Sequence, residues 1–282
     1  MTVKVVTRVM ALFVGFASVS LPAVPAMAQP PVQSPRLYVL DCGTIPNGVP
    51  ERHSLTKSEV QSLIMAVPCF LVVHARGTLL YDAGIVDGEN NPNRGAIFVP
   101  ARRSVKGQLA ELGYTPDKIT YLMLSHDHEE HVGNANDYRS STWLVQRAEY
   151  QAMFPENMEN APPHVILYKA LKDSKTILLD GDRDVFGDGT VVIKSLPGHT
   201  PGHQGLFVKL AVTGPVVLGG DLYHWSEERT LNRLPTGAFD MQQLIASRAA
   251  LEEFLKKTGA QLWVPHDFAA YTKLKKSPNY YE

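Results

Sequence analysis

The stretch that decides the fold of this chain is Ser125-His126-Asp127-His128-Glu129-Glu130-His131, which directly follows an apolar run. It contains three of the ten histidines of the chain, at a point where a strand should end and a loop begin. Imidazole and carboxylate groups are the ligands that zinc and similar cations favour. Because alternate residues of an extended segment point to the same side, His126 and His128 can hold one ion. Glu130 and His131 follow where the chain turns, and they can reach a second ion.

Three further candidate ligands stand in the same kind of position. His199, Asp221 and His266 each lie just beyond the end of an apolar run. In layered α/β folds, functional sites gather beyond strand ends, where a rigid sheet holds the loops. The alternative is a solvated polar loop that merely contains histidines, and four separate strand ends with ligand-type residues argue against it.

This order of residues resembles the metallo-β-lactamase superfamily. The pattern here is His126-x-His128-x-Glu130-His131, followed by His199, Asp221 and His266. The resemblance covers roughly residues 36–270. It implies an α/β fold of the four-layer αβ/βα sandwich type.

Two features are most similar to the N-acyl-homoserine lactonase branch of that superfamily. One is the segment Gly-His-Thr-Pro-Gly-His-Gln at residues 198–204, and the other is the 22-residue step from His199 to Asp221. The turn Tyr81-Asp82-Ala83-Gly84 matches the early Asp-x-Gly turn of the superfamily. By this resemblance Asp82 orients a ligand histidine, which fixes its tautomer and ring direction. Sister families with other substrates share most of these motifs.

The resemblance implies two zinc ions as cofactors, with a ligand set that can be assigned residue by residue. The first ion would take His126, His128 and His199, and the second would take Glu130, His131 and His266. Asp221 matches the carboxylate that bridges both metals. A bridging aspartate argues for two metals. The members of the superfamily with a sulfur ligand have a cysteine at or near that point, and this chain has none there.

The first departure from the family pattern is Glu130, which stands where the family has aspartate. Its extra methylene extends the carboxylate by roughly 1.5 Å, whereas zinc–oxygen bonds are about 2.0–2.2 Å long. Three outcomes are therefore open. The loop shifts, the second site is looser, or Glu130 binds in a different way.

The second departure concerns the tyrosine that lactonases carry three residues after the bridging aspartate, where it helps to polarise the substrate carbonyl. Here that position is His224, and Tyr223 lies just before it. Either side chain could reach the substrate. A neutral imidazole donates one hydrogen bond and accepts one, so His224 can replace the phenol in this role.

The function implied by the resemblance is metal-dependent hydrolysis of a lactone. Two zinc ions would hold a bridging water and lower its pKa, and the resulting hydroxide would open the ring of an N-acyl-homoserine lactone. The residues assigned to catalysis are Glu130, Asp221, His224 and Tyr223. Such an enzyme would quench quorum-sensing signals.

Two alternatives remain beside this function. A β-lactam hydrolase would use the same metals on a strained amide, although the strict β-lactamase pattern lacks the bridging Asp221. A catalytically silent binding relative would keep the fold and show decay at Glu130, although the six other ligands are intact. Metal content separates the silent protein from both enzymes, and a panel of lactones and β-lactams separates the enzymes.

The first 28 residues are typical of a secretory signal peptide. Lys4 and Arg8 supply the positive start, residues 9–21 form an apolar core, and Ala26-Met27-Ala28 offers a cleavage site. The run is too short to span a bilayer, which argues against a retained anchor helix. We therefore expect a periplasmic or secreted protein with one metallo-hydrolase domain at residues 29–282 and no membrane association after cleavage.

The composition is that of an ordinary globular protein, with 44% hydrophobic and 20% charged residues and a formal net charge of −1. Nucleic-acid binding requires a basic patch, and none is evident. We therefore expect a small-molecule lactone or lactam as the partner.

The only two cysteines are Cys42 and Cys69, and both remain after cleavage. An oxidising compartment permits a disulfide between them, but sequence alone does not provide the required Cα separation, so pairing stays open. Neither lies in a ligand cluster.

The remaining histidines and apolar residues have simpler interpretations. His203 is expected to form structural hydrogen bonds rather than bind metal, and His53, His74 and His164 are expected to be incidental. Phe98, Met153, Phe154 and Trp225 could line an acyl pocket or belong to the core.

Periodicity predicts the main elements. Strands are expected near residues 37–41, 69–74, 77–81, 119–124, 142–145, 176–179, 190–196, 205–211, 215–219 and 261–264. Helices are expected at 101–113, 147–154 and 240–257, the last between an Asp240 N-cap and Gly259.

Overall fold

A computed structural model describes Met1, residues 33–87 and residues 97–282. Apart from Met1, the predicted signal peptide at residues 1–28 lies outside the described residues, so that prediction stays open. The described residues from 33 onward belong to one compact unit. In the described ranges, no helix combines the length and the apolar character needed to cross a membrane.

The strands fall into two sheets. Their bounds are β1 (Arg36–Ile45), β2 (Met65–His74), β3 (Gly77–Tyr81), β4 (Tyr121–Met123), β5 (Thr142–Gln146), β6 (Thr176–Leu179), β7 (Arg183–Asp184), β8 (Val191–Ser195), β9 (Gln204–Leu210), β10 (Gly214–Leu218), β11 (Gln261–Trp263) and β12 (Tyr280–Tyr281). The first sheet has the order β12-β1-β2-β3-β4-β5-β6, and the second has the order β11-β10-β9-β8-β7. Strands β3 to β6 run parallel, as do β10 and β11, while the other neighbours run antiparallel.

The α-helices cover the outer faces of these sheets or lie in the loops at their edge. They are α1 (Val105–Glu111), α2 (Glu129–Val132), α3 (Arg147–Met153), α4 (Ser226–Thr230), α5 (Met241–Thr258) and α6 (Phe268–Tyr271). Short 3-10 helices are Pro50–His53, Pro116–Lys118, Ala135–Tyr138, Met158–Asn160, Pro163–Leu167, Lys169–Asp173 and Gly220–Leu222.

The inner strands β1 to β5 of the first sheet are largely buried on both faces. In β1, Leu37 and Val39 pack with the apolar residues of the second sheet, whereas Tyr38 and Leu40 pack with residues of α1 and its neighbours. A third cluster joins the far face of the second sheet to α5, through residues such as Leu251. Helix, sheet, sheet and helix therefore form four layers, which confirms the predicted αβ/βα sandwich.

The predicted helix limits are confirmed for α5 and too wide for α1. Asp240 accepts hydrogen bonds from the backbone N–H groups at the start of α5, and Gly259 ends that helix with a φ of 67°. Helix α1 begins only at Val105, because the side chain of Ser104 accepts from the N–H of Gly107 and caps it there. The expected helix at 101–113 was therefore too long at both ends.

The disulfide that the sequence left open is present between Cys42 and Cys69, whose Cα atoms lie 5.8 Å apart on the paired strands β1 and β2. Gly84 packs against it, with a φ of +69°, and a Cβ at Gly84 would lie 2.5 Å from Cβ of Cys42. The carbonyl of Gly84 accepts the N–H of Gly133, which directly follows α2. Glycine at residue 84 therefore lets the turn after β3 pack directly on the disulfide, while its carbonyl binds the segment after α2.

Candidate metal centre

The structure brings all seven predicted metal ligands together at one edge of the two sheets. The first group consists of His126, His128, His199 and Asp221, and the second consists of Glu130, His131, Asp221 and His266. Within each group, the candidate ligand atoms lie within 4.8 Å of one another. The side chains come from loops that follow β4, β8, β10 and β11, so the sheets position them.

Asp221 lies between the two groups and turns one carboxylate oxygen to each. Its Oδ2 lies 3.6 Å from Nε2 of His126 and 3.5 Å from Nε2 of His199. Its Oδ1 lies 3.3 Å from Nε2 of His131 and 3.2 Å from Nε2 of His266. This is the arrangement that a carboxylate shared by two cations requires.

Three of the candidate ligand histidines, His126, His131 and His266, present Nδ1 to the protein and leave Nε2 facing the centre. Nδ1 of His131 donates to Asp82 at 2.9 Å, and Nδ1 of His266 donates to the carbonyl of Ala66 at 2.7 Å. The atoms His126 Nε2, His131 Nε2, His266 Nε2 and Asp221 Oδ1 are buried and have no hydrogen-bond partner within the described part of the chain. Because buried polar atoms without partners are costly, their convergence fits metal ions at this place.

The protonation states of three candidate ligands suit a metal ion, whereas Asp221 and Asp82 outweigh burial and raise the pKa of His131 well above its usual value, so binding of a cation there would displace a proton. Burial would raise the pKa of Asp221, but the imidazoles of His266 and His131 outweigh it and hold that pKa well below its usual value. Burial lowers the pKa of His126 and of His199 well below the usual range. A carboxylate and neutral imidazoles are the forms that bind cations.

Asp82 orients the second group, as the resemblance implies. Its carboxylate accepts the N–H of Ser125 at 2.6 Å, the Ser125 hydroxyl at 3.0 Å and Nδ1 of His131 at 2.9 Å. Its backbone has a φ of 62°, a region that residues other than glycine rarely adopt. Such strain is typical of a functional position, and here it lets one carboxylate join the turn after β3 to the histidine loop.

Glu149, in α3, joins the two loops of the first group and was not identified from the sequence. Its carboxylate accepts the N–H of Asp127 at 3.0 Å, the hydroxyl of Thr200 at 2.8 Å and the N–H of Gly202 at 2.7 Å. Burial, reinforced by the charge of Asp127, raises the pKa of Glu149 to about 7, although these three hydrogen bonds oppose the rise. The available signal was an acidic residue on the face of a short helix that an amphipathic pattern would bury.

His203 forms structural hydrogen bonds, which confirms its predicted role. Its Nδ1 donates to the carbonyl of Leu196 at 3.0 Å, and its Nε2 accepts the N–H of Asp221 at 2.9 Å. Both ring nitrogens are therefore occupied, and the ring fixes the backbone of the shared carboxylate.

The two candidates for carbonyl polarisation point to different sides. Nε2 of His224 lies 3.3 Å from Oδ2 of Asp221, at the centre. The Tyr223 hydroxyl instead lies 3.4 Å from Glu252, and its ring packs under Arg248. Because Tyr223 has an extended backbone, adjacent side chains face opposite ways. The structure therefore brings His224, and not the hydroxyl of Tyr223, to the centre.

Two of the histidines that were expected to be incidental, His53 and His164, lie beside the centre. The ring of His53 lies 4.1 Å from that of His224 between centroids. His164 lies at an opening of about 230 Å³ together with His128 and Glu130. By contrast, His74 pairs with Asp188 at 2.9 Å.

The apolar residues suggested for an acyl pocket are mostly core. Met153 and Phe154 are buried in the cluster behind the first sheet, and Trp225 is buried beside Leu55. Phe98 is also largely buried, but it lines the opening near the metal ligands.

Comparison with known families gives a match over residues 64–270 to the model of the metallo-beta-lactamase superfamily. The chain belongs to this superfamily. The match agrees with the observed fold and with the two groups of candidate ligands. The chain is a metal-dependent hydrolase of this superfamily.

Among proteins of this superfamily, the chain is similar to several named lactonases. It is 29% identical over 265 residues to the N-acyl homoserine lactonase AttM of Azorhizobium caulinodans, covering 88% of this chain and 98% of that protein. It is 28% identical over 232 residues to the N-acyl homoserine lactonase AiiA of Bacillus thuringiensis subsp. kurstaki, covering 77% of this chain and 88% of that protein.

A solved structure of an N-acyl homoserine lactone hydrolase, with the product N-hexanoyl-L-homoserine bound at its catalytic metal centre, is also similar. It matches with a TM-score of 0.70 at 26% identity, over 88% of this chain and 99% of that chain. The metallo-beta-lactamase fold of this chain therefore corresponds to a lactonase fold along nearly its whole described length.

Proposed function

We propose that this chain is an exported dinuclear zinc hydrolase that opens N-acyl-homoserine lactones. The observation that carries the proposal is Asp221, whose two carboxylate oxygens each face a separate group of ligand atoms. The proposed substrate class is supported by the lactonase relatives, whose similarity spans most of this chain.

The donor set favours zinc for both positions. Five imidazoles and two carboxylates surround the centre, and the buried atoms that face it lack partners in the part of the chain that is described. Imidazole and carboxylate ligands suit zinc, with one position left open for water or substrate in a catalytic site. When bound, such ions polarise a carbonyl oxygen and make water a stronger nucleophile at neutral pH.

The protein's own groups account for orientation and proton transfer. Ring opening forms a bond between a water oxygen and the carbonyl carbon, breaks the bond from that carbon to the ring oxygen, and transfers a proton to the departing oxygen. His224, with Nε2 beside Asp221, is placed to donate a hydrogen bond to the carbonyl oxygen. Glu130, at the opening of the site, is placed to carry the proton to the departing oxygen.

The extra methylene of Glu130 is compatible with its role as a ligand. Glu130 lies in the first turn of α2, and its carboxylate comes within 4.8 Å of the ligand atoms of His131 and His266. The helix begins directly after His128, so the backbone places the longer side chain without removing it from the group. This geometry supports binding by Glu130 over decay of the second position.

Export is proposed from the leader at residues 1–28 and has support from the disulfide. Cys42 and Cys69 are bonded, and disulfides persist in oxidising compartments such as the periplasm or the medium. Fractionation of cells that express the full chain, beside a variant without residues 2–28, tests this part. Retention of the full chain in the cytoplasm in uncleaved form would contradict it.

The activity is tested by metal analysis together with a substrate panel. Mature protein should contain two zinc ions per chain and hydrolyse an N-acyl-homoserine lactone faster than a chromogenic β-lactam. His128→Ala should remove most of the activity, since it deletes a ligand of the first group. His74→Gln is the matched control, because it removes a histidine that pairs with Asp188 away from the centre.

Each rival function has its own outcome in this experiment. Preferential turnover of the β-lactam would reverse the substrate assignment. Protein with one ion or none, and no turnover after zinc addition, would favour the silent binding relative. Near wild-type activity of His128→Ala in zinc-replete buffer would contradict the site itself.

A further inference from the structure

Behind His224 lies a buried polar network that the proposed reaction does not use. Its members are His53, Glu228 and Arg248, and the side chain of Glu228 is fully buried. Burying a carboxylate costs free energy unless charges and hydrogen bonds compensate for it. Here the compensating groups are the backbone N–H groups of His224 and Trp225 and the guanidinium of Arg248.

The two oxygens of Glu228 hold the backbone around His224. Oε1 accepts the backbone N–H of His224 at 2.8 Å and that of Trp225 at 3.2 Å. Oε2 accepts Nη2 of Arg248 at 2.6 Å, and Nε of Arg248 donates to the carbonyl of Leu222 at 2.8 Å. The segment between the shared carboxylate and α4 is therefore tied down at both ends.

The same Oε1 atom also faces two imidazoles. It lies 3.2 Å from Nδ1 of His53 and 3.6 Å from Nδ1 of His224. Both Nδ1 atoms are buried, and neither has a hydrogen-bond partner among the residues that the structure describes. With Nδ1 of His224 turned towards Glu228, its Nε2 lies 3.3 Å from Oδ2 of Asp221.

The contacts of this network do not suit a third metal ion. His53, His224 and Glu228 come close enough together to hold an ion. However, Oε1 already accepts two backbone N–H groups and Oε2 accepts a guanidinium, so a cation would compete for lone pairs beside the positive charge of Arg248. The contacts favour orientation of the ring over ligation.

We propose that Glu228 is a positioning residue for His224, which it holds with Nε2 facing the carbonyl oxygen of the substrate. The ring of His53 packs against that of His224, with centroids 4.1 Å apart, and its Nδ1 lies 3.2 Å from the same carboxylate oxygen. The inference rests on the proposed function, because His224 is the hydrogen-bond donor of that reaction. It adds two residues, Glu228 and His53, that lie outside both ligand groups.

The first test is Glu228→Gln, which keeps the shape of the side chain and removes its charge. We expect kcat for an acyl-homoserine lactone to fall about 10- to 100-fold, the usual effect of losing a residue that orients an active group. KM should change little, and two zinc ions should remain. Glu252→Gln is the matched control, because its carboxylate pairs with Arg229 in α4 and accepts the Tyr223 hydroxyl, on the side of the chain that faces away from the His224 ring.

A double-mutant cycle separates positioning from a general loss of structure. If Glu228 acts through His224, Glu228→Gln should have little further effect on kcat in a His224→Ala background. Independent, multiplying effects would overturn the proposal. If Glu228→Gln does not fold, His53→Gln replaces it in the same cycle, since His53 is the more exposed member of the network.

A spectroscopic measurement keeps the inference distinct from the proposed function. In zinc-loaded protein with ¹⁵N-labelled histidine, the His224 ring resonances, assigned with His224→Ala, should shift in Glu228→Gln and stay unchanged in Glu252→Gln. Unchanged resonances in Glu228→Gln would overturn the inference. Absence of lactone turnover in wild-type protein, with the expected resonance shifts, would reject the proposed function alone.

Discussion

The two ligand groups share Asp221, yet the protein supports them in different ways. In the first group, Glu149 binds the loops of His128 and His199 together through Asp127, Thr200 and Gly202. In the second group, each histidine has its own acceptor, which is Asp82 for His131 and the carbonyl of Ala66 for His266. One group depends on the register between two loops, and the other depends on the orientation of single rings.

This difference indicates where each group is vulnerable. The first group is sensitive to any change that lets two loops separate, even one that touches no ligand. The second group is sensitive to the fourth ligand, Glu130, which lies in the four-residue helix α2 and is less buried than His131 and His266. Five substitutions and one pH series test this comparison.

The largest effect is expected where the groups meet. Asp221→Ala should remove both metal ions and reduce kcat/KM by about 10³-fold or more, because the shared carboxylate and the Lewis-acid chemistry are lost together. Metal analysis and lactone hydrolysis measure this directly. Retention of either ion at normal affinity would mean that the groups do not depend on a shared ligand.

The next effect should be confined to the second group. Glu130→Ala should lower the zinc content from two ions to one, because it removes one of the three ligands that only this group uses. Glu130→Asp should bind the second ion about 10-fold more weakly. In a loop that fits glutamate, the carboxylate oxygen of the shorter side chain would lie roughly 1.5 Å farther from the ion. Titration with a chromophoric chelator provides the affinities, and tighter binding by Glu130→Asp would show that glutamate distorts the site.

A matched pair of substitutions separates loop register from ring orientation. Glu149→Gln should weaken the first ion and Asp82→Asn the second, each by about 10- to 100-fold, because both residues act through hydrogen bonds to ligand-bearing segments. Cobalt-substituted protein reports the two positions by absorption. The comparison fails if both variants weaken the same position.

The smallest effect is a pH dependence of stability at Glu149. Its pKa is about 7 in the folded protein, above its ordinary value of 4.5, so the folded state binds this proton more tightly than the unfolded state. The stabilisation is fully present below pH 4.5 and is lost as the pH rises through 7, by roughly 3 kcal/mol in total.

Glu149→Gln lacks this titration and serves as the reference. The free energy of unfolding of the wild type, measured relative to Glu149→Gln in denaturant, should decrease between pH 5 and pH 8. A constant difference across this range would mean that the three hydrogen bonds already stabilise the carboxylate as well as water does.

The candidate ligand set could be predicted from the sequence because every candidate ligand lies in a segment that follows the end of a strand. The spacing of His126, His128 and His131 is local, and the apolar runs before His199, Asp221 and His266 mark strand ends without reference to partners. The four-layer sandwich was implied by the resemblance to the metallo-β-lactamase superfamily, and the runs of strands broken by helices fit it.

The supporting residues were not readable because their contacts join distant segments. Glu149 meets a loop 51 residues away at Thr200, and His53 meets Glu228 across most of the described chain. The position of Glu149 on the buried face of α3 was a local signal, but nothing local indicates which distant segment Glu149 or His53 contacts. The role of Tyr223 was equally undecidable, since it depended on which side of an extended segment faces the centre.

The sequence by itself therefore indicated the family, the fold and the candidate ligands, since those depend on residue types at strand ends. Only the tertiary structure decided that Cys42 pairs with Cys69, that His224 rather than Tyr223 faces Asp221, and that Glu149 and Glu228 stand behind the site. The physical reason is that hydrogen bonds and disulfides act over a few ångströms in space. Their partners are fixed by the packing of layers and not by distance along the chain.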